Sequence, residues 1–417
     1  MDFATHYFSR YKALPAFFDD KPDARTGIIV IIPCFDDEFV FHTLDSLENA
    51  FPARTEVEVI VNVNSGENVT TDIVERNRLI YNELATISIS RKYKNFRLLP
   101  ILVEGTVRKK AGVGFARKTA MDEAVRRFAV IGRPDGLIVS LDADSLVDRE
   151  YFREIEAAAS DSTADCFTFQ FRHNFDLALF DREIVDACRL YEIYLRYYRL
   201  ALRTFDSPFA VHTIGSCFAI RAEAYTKLGG MPPRQGGEDF YFIQKAVKMR
   251  RVHEIRRQIV IPSPRVSNRV PFGTGPSVGN IIRNGGRYFV YNFGLFGLLR
   301  QFYELIPEMW DKDVNSLIHS DIMSHIGRAA FDSTLDECRK YSASTKAFIK
   351  RMYDVFDAFF IVKFLNTFNQ AAADNPFPPV DVLSAAGELL SYRGISVSSN
   401  ADEIYEKIVA LDLADRN

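Results

Sequence analysis

The amino-acid sequence predicts an α/β fold: a mostly parallel sheet flanked by helices, followed by a helical C-terminal domain. From Gly27 onward, short β-rich runs alternate with helical patterns, the signature of strands joined by helical crossovers. After about Pro271 the strand signals fade and helical periodicity takes over, with a Pro-, Gly- and Ser-rich loop over 262–279 marking the change. With 417 residues, 47% of them hydrophobic, the chain can bury a sizeable core, as one large domain with an appendage or as two to three ordinary domains.

The expected strands cover 27–32, 57–63, 96–103, 136–141, 166–171 and 214–220, with helices near 37–48, 70–85, 114–128 and 148–158. Right-handed crossovers between such strands place ligand groups at the carboxyl ends of the sheet. The expected division is an N-terminal extension over 1–26, the α/β domain over 27–270 and the helical domain over 271–417. In the last, Phe348, Met352, Val355, Phe359 and Val362 recur at three and four residues, which predicts one face of a long helix.

Charge and cysteine usage exclude several classes. A net charge of -3 argues against nucleic acid as a partner, since a phosphate backbone calls for a strongly basic footprint. Cys34, Cys166, Cys188, Cys217 and Cys338 are scattered and free of CxxC spacing, so neither a disulfide framework nor a zinc site is expected. The first twenty residues lack a cationic start and a continuous apolar core, and the apolar stretch 288–299 is far shorter than the roughly 20 residues a spanning helix needs. The expectation is a cytoplasmic protein without a membrane span.

Over 184–203, Arg189, Arg196, Arg199 and Arg203 share one side of a helix, and Ile184, Ala187, Tyr191, Tyr194, Tyr198 and Leu202 the other. Two readings stand: a surface helix with a solvated Arg face and a buried Tyr face, or a surface for an anionic acceptor or lipid headgroup. The second, with 35 Phe residues in the chain, motivates an expectation of peripheral contact at the inner face of a membrane.

Chemistry-bearing residues recur where strands end. Asp142-Ala143-Asp144 follows the run Gly136–Leu141; side chains alternate along a strand, so the two carboxylates can converge on a hard divalent ion such as Mg²⁺ or Mn²⁺, although the same tripeptide also suits a solvated turn. Pro33-Cys34-Phe35-Asp36-Asp37-Glu38 ends the first strand, either capping the next helix or walling a nucleotide base. Asn62 and Asn64 close the second strand, with amides suited to a base edge or to an ordinary turn. Gly112-Val113-Gly114-Phe115-Ala116-Arg117-Lys118 lacks the third glycine and the position of a dinucleotide fingerprint, but a helix start with two cations suits a diphosphate. Gly236-Gly237-Glu238-Asp239 puts two carboxylates at a helix start, as caps or with one as a general base.

In this order the segments resemble inverting glycosyltransferases of family 2, with the GT-A fold, over roughly residues 27 to 271. The opening Pro33 to Glu38 is similar to the family's Pro-x-(aromatic)-Asn-Glu, and Gly112 to Thr119 to its Gly-x-(small)-x-Ala-Arg-Asn segment. Asp142-Ala143-Asp144 stands in place of its metal motif, Thr213 to Arg221 resembles its acceptor-side strand, and Leu228-Gly229-Gly230-Met231 followed by Gly237-Glu238-Asp239 resembles its catalytic stretch.

The resemblance implies a nucleotide-sugar donor, a glycan or lipid-linked acceptor and Mn²⁺ or Mg²⁺ as cofactor. Pro33, Phe35, Asp37 and Glu38 would lie on the donor side, Asp142 would meet the ribose or the ion, Asp144 would hold the ion, Arg117 would neutralise the diphosphate, Asp239 would act as base and Glu238 would support it. The chain departs from the pattern twice: Asn62 and Asn64 replace an Asp-Asp-Gly-Ser turn, and Ser267-Asn268-Arg269 stands where some relatives carry a metal-binding His. The other function class that the sequence allows is a non-catalytic nucleotide-sugar-binding or assembly subunit on the same fold.

Overall fold

The computed structural model describes residues 2–107, 111–249, 251–267, 269–370, 375–398 and 400–415; Asn268, in the segment where a His ligand was sought, lies outside them. The chain divides into two compact units, Met1–Cys188 with His212–Asn280, and Arg189–Val211 with Ile281–Asn417.

In the first unit α1 (Thr5–Arg10) precedes β1 (Thr26–Cys34), α2 (Val40–Glu48), β2 (Glu56–Gly66), α3 (Thr71–Ser90), β3 (Arg97–Thr106) and α4 (Val113–Val130). Then come β4 (Leu137–Ser140), β5 (Leu146–Val147), α5 (Tyr151–Asp161), β6 (Cys166–Phe171), the start of α6 (Arg182–Arg203), β7 (Phe218–Arg221), α7 (Ala222–Lys227), α8 (Glu238–Lys248), β8 (Val252–Ile261) and most of α9 (Thr274–Arg283). The eight strands form one sheet in the order β3-β2-β1-β4-β7-β6-β8-β5. Four of its seven pairings are parallel: β1 with β2 and with β4, β2 with β3, and β6 with β8. This is the fold class expected, a mixed α/β unit with a large, mostly parallel sheet flanked by helices.

Strand β1 is buried along its whole length, as a central parallel strand covered on both faces must be. The chain builds outward from it to β2 and β3 and returns to its other side as β4, so the strand order reverses between β1 and β4. In open α/β sheets ligands bind outside the carboxyl ends of the strands at such a reversal. Helix α4 lies against β1 and β2, and its buried Asp122 and Arg127 are tied to other segments: Tyr7 donates to Asp122 Oδ1 at 2.7 Å, and Arg127 pairs with Glu58 of β2.

Two strands of this sheet were not read from the sequence, β8 and β5. The alternation of β8 is broken by the exposed pair Arg256-Arg257, and its register with β6 shifts on both sides of Gln170; β5 has only two residues. The strand expected over 214–220 begins at Phe218. The residues before it leave the ladder, and Gly215 presents its carbonyl to Arg117.

The second unit holds the rest of α6, β9 (Phe289–Val290), α10 (Phe293–Leu305), α11 (Ser320–Ile326), α12 (Arg328–Lys340), α13 (Thr345–Val355), α14 (Ala358–Thr367), β10 (Val380–Asp381), α15 (Val382–Tyr392) and α16 (Ala401–Ala414). The single long helix expected over 348–362 is two helices. Asp357 caps the second, its Oδ1 accepting from the N–H groups of Phe359 and Phe360, and Val355 is exposed.

The Arg face of α6 is a second correction, because neither expected reading holds for it. Arg196 and Arg199 are fully buried: Arg196 donates to Glu192 (2.7 Å) and to Asp412 of α16 (2.6 Å), and Arg199 donates to the other oxygen of Asp412 (2.6 Å). Arg203 reaches Asp415 at 2.7 Å and Arg189 reaches Asp402 at 2.6 Å. Arg196, Arg199 and Arg203 are taken up inside the second unit and Arg189 is paired at its surface, so these guanidiniums are engaged by carboxylates of the chain itself. Among the described residues, no helix is long and apolar enough to cross a membrane.

Candidate active site

At the reversal, β4 passes into Leu141-Asp142-Ala143-Asp144. Leu141 N–H donates to Ile31 O at 3.1 Å, which keeps the segment beside β1, and the buried Ala143 accepts at its carbonyl from Thr43 Oγ1 of α2 at 2.7 Å. With Ala143 pinned, the carboxylates on either side stay partly open, Asp142 at 35% and Asp144 at 25% side-chain exposure.

Beneath Asp142 lies Arg117 of α4, with 3% of its side chain exposed. Its Nη2 donates to Asp142 Oδ1 (2.9 Å), its Nε to Glu238 Oε1 (3.1 Å), and its Nη1 to Gly215 O (2.8 Å) and to Ser140 Oγ. The neighbouring carboxylates hold the guanidinium firmly charged against its burial. One cation thus joins the ends of β4, the approach to β7 and the start of α8. Two glycines permit it: a Cβ on Gly215 would stand 2.5 Å from Arg117 Nη2, and one on Gly114 would stand 2.5 Å from Arg234 O.

The glycine-rich segment, expected at a diphosphate, is engaged by the protein itself. Gly114 N–H donates to Arg234 O at 3.1 Å, so the start of α4 is closed by the segment that leads to Glu238 and Asp239. Lys118 is engaged by Asp122 (2.6 Å) and the Tyr7 hydroxyl (2.8 Å). Arg117 has almost no surface left for a ligand, and its guanidinium is taken up by Asp142, Glu238, Gly215 O and Ser140 Oγ.

Asp239 opens α8 beside the buried Glu238, and its Oδ1 accepts from the Phe240 N–H at 2.7 Å. Burial and the Glu238 charge push its carboxyl up to about 7, with Asp142 adding to the effect and Arg117 opposing it. Burial likewise pushes Asp144 up to about 6, with Asp142 and Asp37 adding to it and Arg265 and Arg269 pulling the other way.

Arg265 and Arg269 were not anticipated as site residues. The antiparallel pairing of Leu146 with Ile261 brings the segment after β8 beside Asp144. Arg265 pairs with Asp37 and approaches Asp144 Oδ2 to 2.8 Å, and Arg269 pairs with Asp37 at 2.7 Å. Asp37 is 5% exposed and also accepts from the Phe39 N–H at 3.2 Å, so it caps the turn into α2 and anchors both arginines. Two arginines four residues apart in a loop read as a domain boundary were the available signal.

Other expected donor-side residues stand apart from this network. Asn62 is fully buried, with its amide donating to Ala116 O at 2.9 Å, so it faces α4 and offers no surface to a base. Asn64 is buried and its carbonyl accepts from Asn77. Glu38 is exposed, Phe35 is half-buried, and Pro33 is buried in β1 opposite Asn62.

Five carboxylates (Asp37, Asp142, Asp144, Glu238 and Asp239) face three guanidiniums (Arg117, Arg265 and Arg269), leaving a surplus of two negative charges when all are ionised. A divalent cation suits that balance. Asp142 Oδ2 and Asp144 Oδ1 have no hydrogen-bond partner among the described residues, so this pair offers a hard ion two oxygens. Among the described residues no group of three or more His, Cys, Asp or Glu is placed to hold a metal.

Comparison with known proteins places the chain at a distance from them. It is similar to the crystal structure of S. aureus TarS 1-349 in complex with UDP-GlcNAc, at 13% identity over 92% of this chain and 90% of that chain, with a TM-score of 0.40. It is similar to TarS 1-349 in complex with UDP at 12% identity over 84% and 98%, TM-score 0.40. Against GalNAc-T7 with UDP, GalNAc and Mn²⁺ the identity is 13% over 81% of this chain and 59% of that chain, TM-score 0.36. No family model and no curated protein matches the chain.

Proposed function

We propose that this protein is a glycosyltransferase of GT-A type that moves a sugar, with inversion, from a nucleotide-diphosphate donor to a hydroxyl of a glycan or lipid-linked acceptor. The observation that carries the reading is the charge network at the carboxyl ends of β1 and β4, in which the buried Arg117 ties Asp142 to Glu238 beside Asp239, whose carboxyl is pushed up by burial and the Glu238 charge.

Asp239 is the base. As the acceptor oxygen attacks the anomeric carbon, its proton passes to the Asp239 carboxylate, and the bond from that carbon to the diphosphate breaks on the opposite face. A base with a pKa near the working pH combines a sufficient ionised fraction with real proton affinity. Glu238, buried and fixed by Arg117, holds the charge environment that sets this affinity. Asp142 and Asp144 would hold Mn²⁺ or Mg²⁺, which supplies positive charge to the leaving diphosphate. Phe35, half-buried just beyond the end of β1, remains the candidate for the base and ribose wall. Nucleotide sugars are made in the cytoplasm, and the proposed location follows from that.

A second reading, a non-catalytic nucleotide-sugar-binding or assembly subunit, is favoured by the absence of a third metal ligand among the described residues. A thermal-shift screen of nucleoside diphosphates and nucleotide sugars, with and without Mn²⁺, tests what both share, because a ligand that binds the folded state raises the melting temperature by mass action. A nucleotide sugar that stabilises the chain only with Mn²⁺ fits the proposal, and a full panel without any shift contradicts it. Turnover of the stabilising sugar nucleotide then separates enzyme from binding subunit.

A further inference from the structure

Two cations beside the ends of β1 and β4 take no part in positioning the proposed base: Arg265 and Arg269. Arg265 bridges carboxylates from two different strand ends, and it treats them unequally. Toward Asp37 it is bidentate, Nη1 on Oδ1 at 3.1 Å and Nη2 on Oδ2. Toward Asp144 the closest approach is that of Nε, 2.8 Å from Oδ2, and among the described residues this buried Nε–H has no well-aligned hydrogen bond. Asp37 also has Arg269 and the Phe39 N–H, so it keeps partners without Arg265; among the described residues Asp144 is ion-paired with Arg265, and Arg269 acts on it at longer range.

We infer that Arg265 is a resident counter-ion for Asp144, displaced when a divalent cation and a nucleoside diphosphate bind together, and that its guanidinium, still anchored on Asp37, then donates to the diphosphate. This rests on the function proposed above. A bidentate guanidinium is well shaped for phosphate oxygens, and the Nε–H, poorly aligned at Asp144, gains an acceptor there. Because Arg265 and the ion compete for Asp144, a ligand that draws Arg265 away raises the affinity for the ion, and by linkage the ion raises the affinity for the ligand by the same factor. The protein would thus hold its cofactor weakly alone and firmly with donor.

The test is Mn²⁺ binding by the full chain, read from the electron paramagnetic resonance of free Mn²⁺, with and without UDP as the probe diphosphate. In the wild type, Mn²⁺ alone binds weakly and UDP tightens it. Arg265→Met should bind Mn²⁺ alone about tenfold more tightly, a coupling of ordinary size, while its affinity for UDP falls. Arg265→Gln, which keeps donors for Asp37, should shift both in the same directions. A gain of metal affinity cannot come from misfolding. Unchanged or weakened Mn²⁺ binding in both variants, with a wild type that binds UDP and Mn²⁺ together, overturns the role of Arg265 and leaves the transferase reading standing. A wild type that binds Mn²⁺ neither alone nor with any of UDP, GDP, CDP and dTDP overturns both.

Discussion

Replacing Arg117 by Met is the most informative change to the site, because one side chain joins three of its parts. Arg117 and Glu238 are each 3% exposed, and Asp142, Gly215 O and Ser140 Oγ complete the guanidinium's partners. Methionine fills most of the volume but leaves Glu238 as a buried charge without its cation. Removing one partner of a buried ion pair costs about 3–5 kcal/mol, because the desolvated charge left behind is uncompensated. In a unit of this size that corresponds to a drop of about 10 °C in melting temperature, measurable by circular dichroism during thermal unfolding. Adding Glu238→Gln to Arg117→Met removes the orphaned charge and should restore at least half of the loss. A single variant that loses under about 1 kcal/mol, or a double variant no more stable than the single, would refute the view that this pair locks α4 to α8.

Four further outcomes are expected. Asp239 is raised to about 7 by burial and by Glu238, so transfer should rise with pH to a plateau through that value as the carboxylate forms; the stability this group lends is present at low pH and is lost as pH climbs from about 4 to about 7. Steady-state rates and melting temperatures across that range, compared with Asp239→Asn, check both signs. Gly114→Ala drives a Cβ to 2.5 Å from Arg234 O, and the shift this forces in the approach to Asp239 should lower turnover at least tenfold with little change in donor affinity. Asp412→Asn strips Arg196 and Arg199 of their shared carboxylate and should destabilise the second unit by about 3–5 kcal/mol, visible in the fluorescence of Trp310, the chain's one tryptophan. Tyr7→Phe leaves Lys118 and Asp122 short of a partner in a buried cluster and should cost about 1–3 kcal/mol by denaturant titration.

The sheet was legible because its strands are nearly continuous apolar runs between helical patterns: β1, β2, β3 and β6 appear where expected, and the helices agree within a few residues except for the far end of α3. Strand β8 was not, since paired arginines and a shifted register hide its alternation. The break before α14 hides in a run whose 3–4 spacing continues across it, although Asp357 marked the cap.

At the site, Asp142, Asp144, Glu238, Asp239 and Arg117 could be picked out because each sits at the end or start of an element, where local pattern is informative. The pairing that governs Arg265 spans 228 residues of chain, and the one that buries Arg196 spans 216, so no local spacing reports either. The Arg stripe of α6 looks like a solvated face because its counter-charges lie on α16. Asn62 shows the converse: a residue type fit for a base edge is spent on a helix carbonyl.

The central claim is tested most directly by release of nucleoside diphosphate from the sugar nucleotide that best stabilises the protein, measured for the wild type and for Asp239→Asn with donor binding quantified in the same preparations. The account predicts that both proteins bind the donor with similar affinity and that only the wild type releases the diphosphate, faster when an acceptor hydroxyl is supplied. Equal release by the two proteins, with donor binding intact in both, would contradict it.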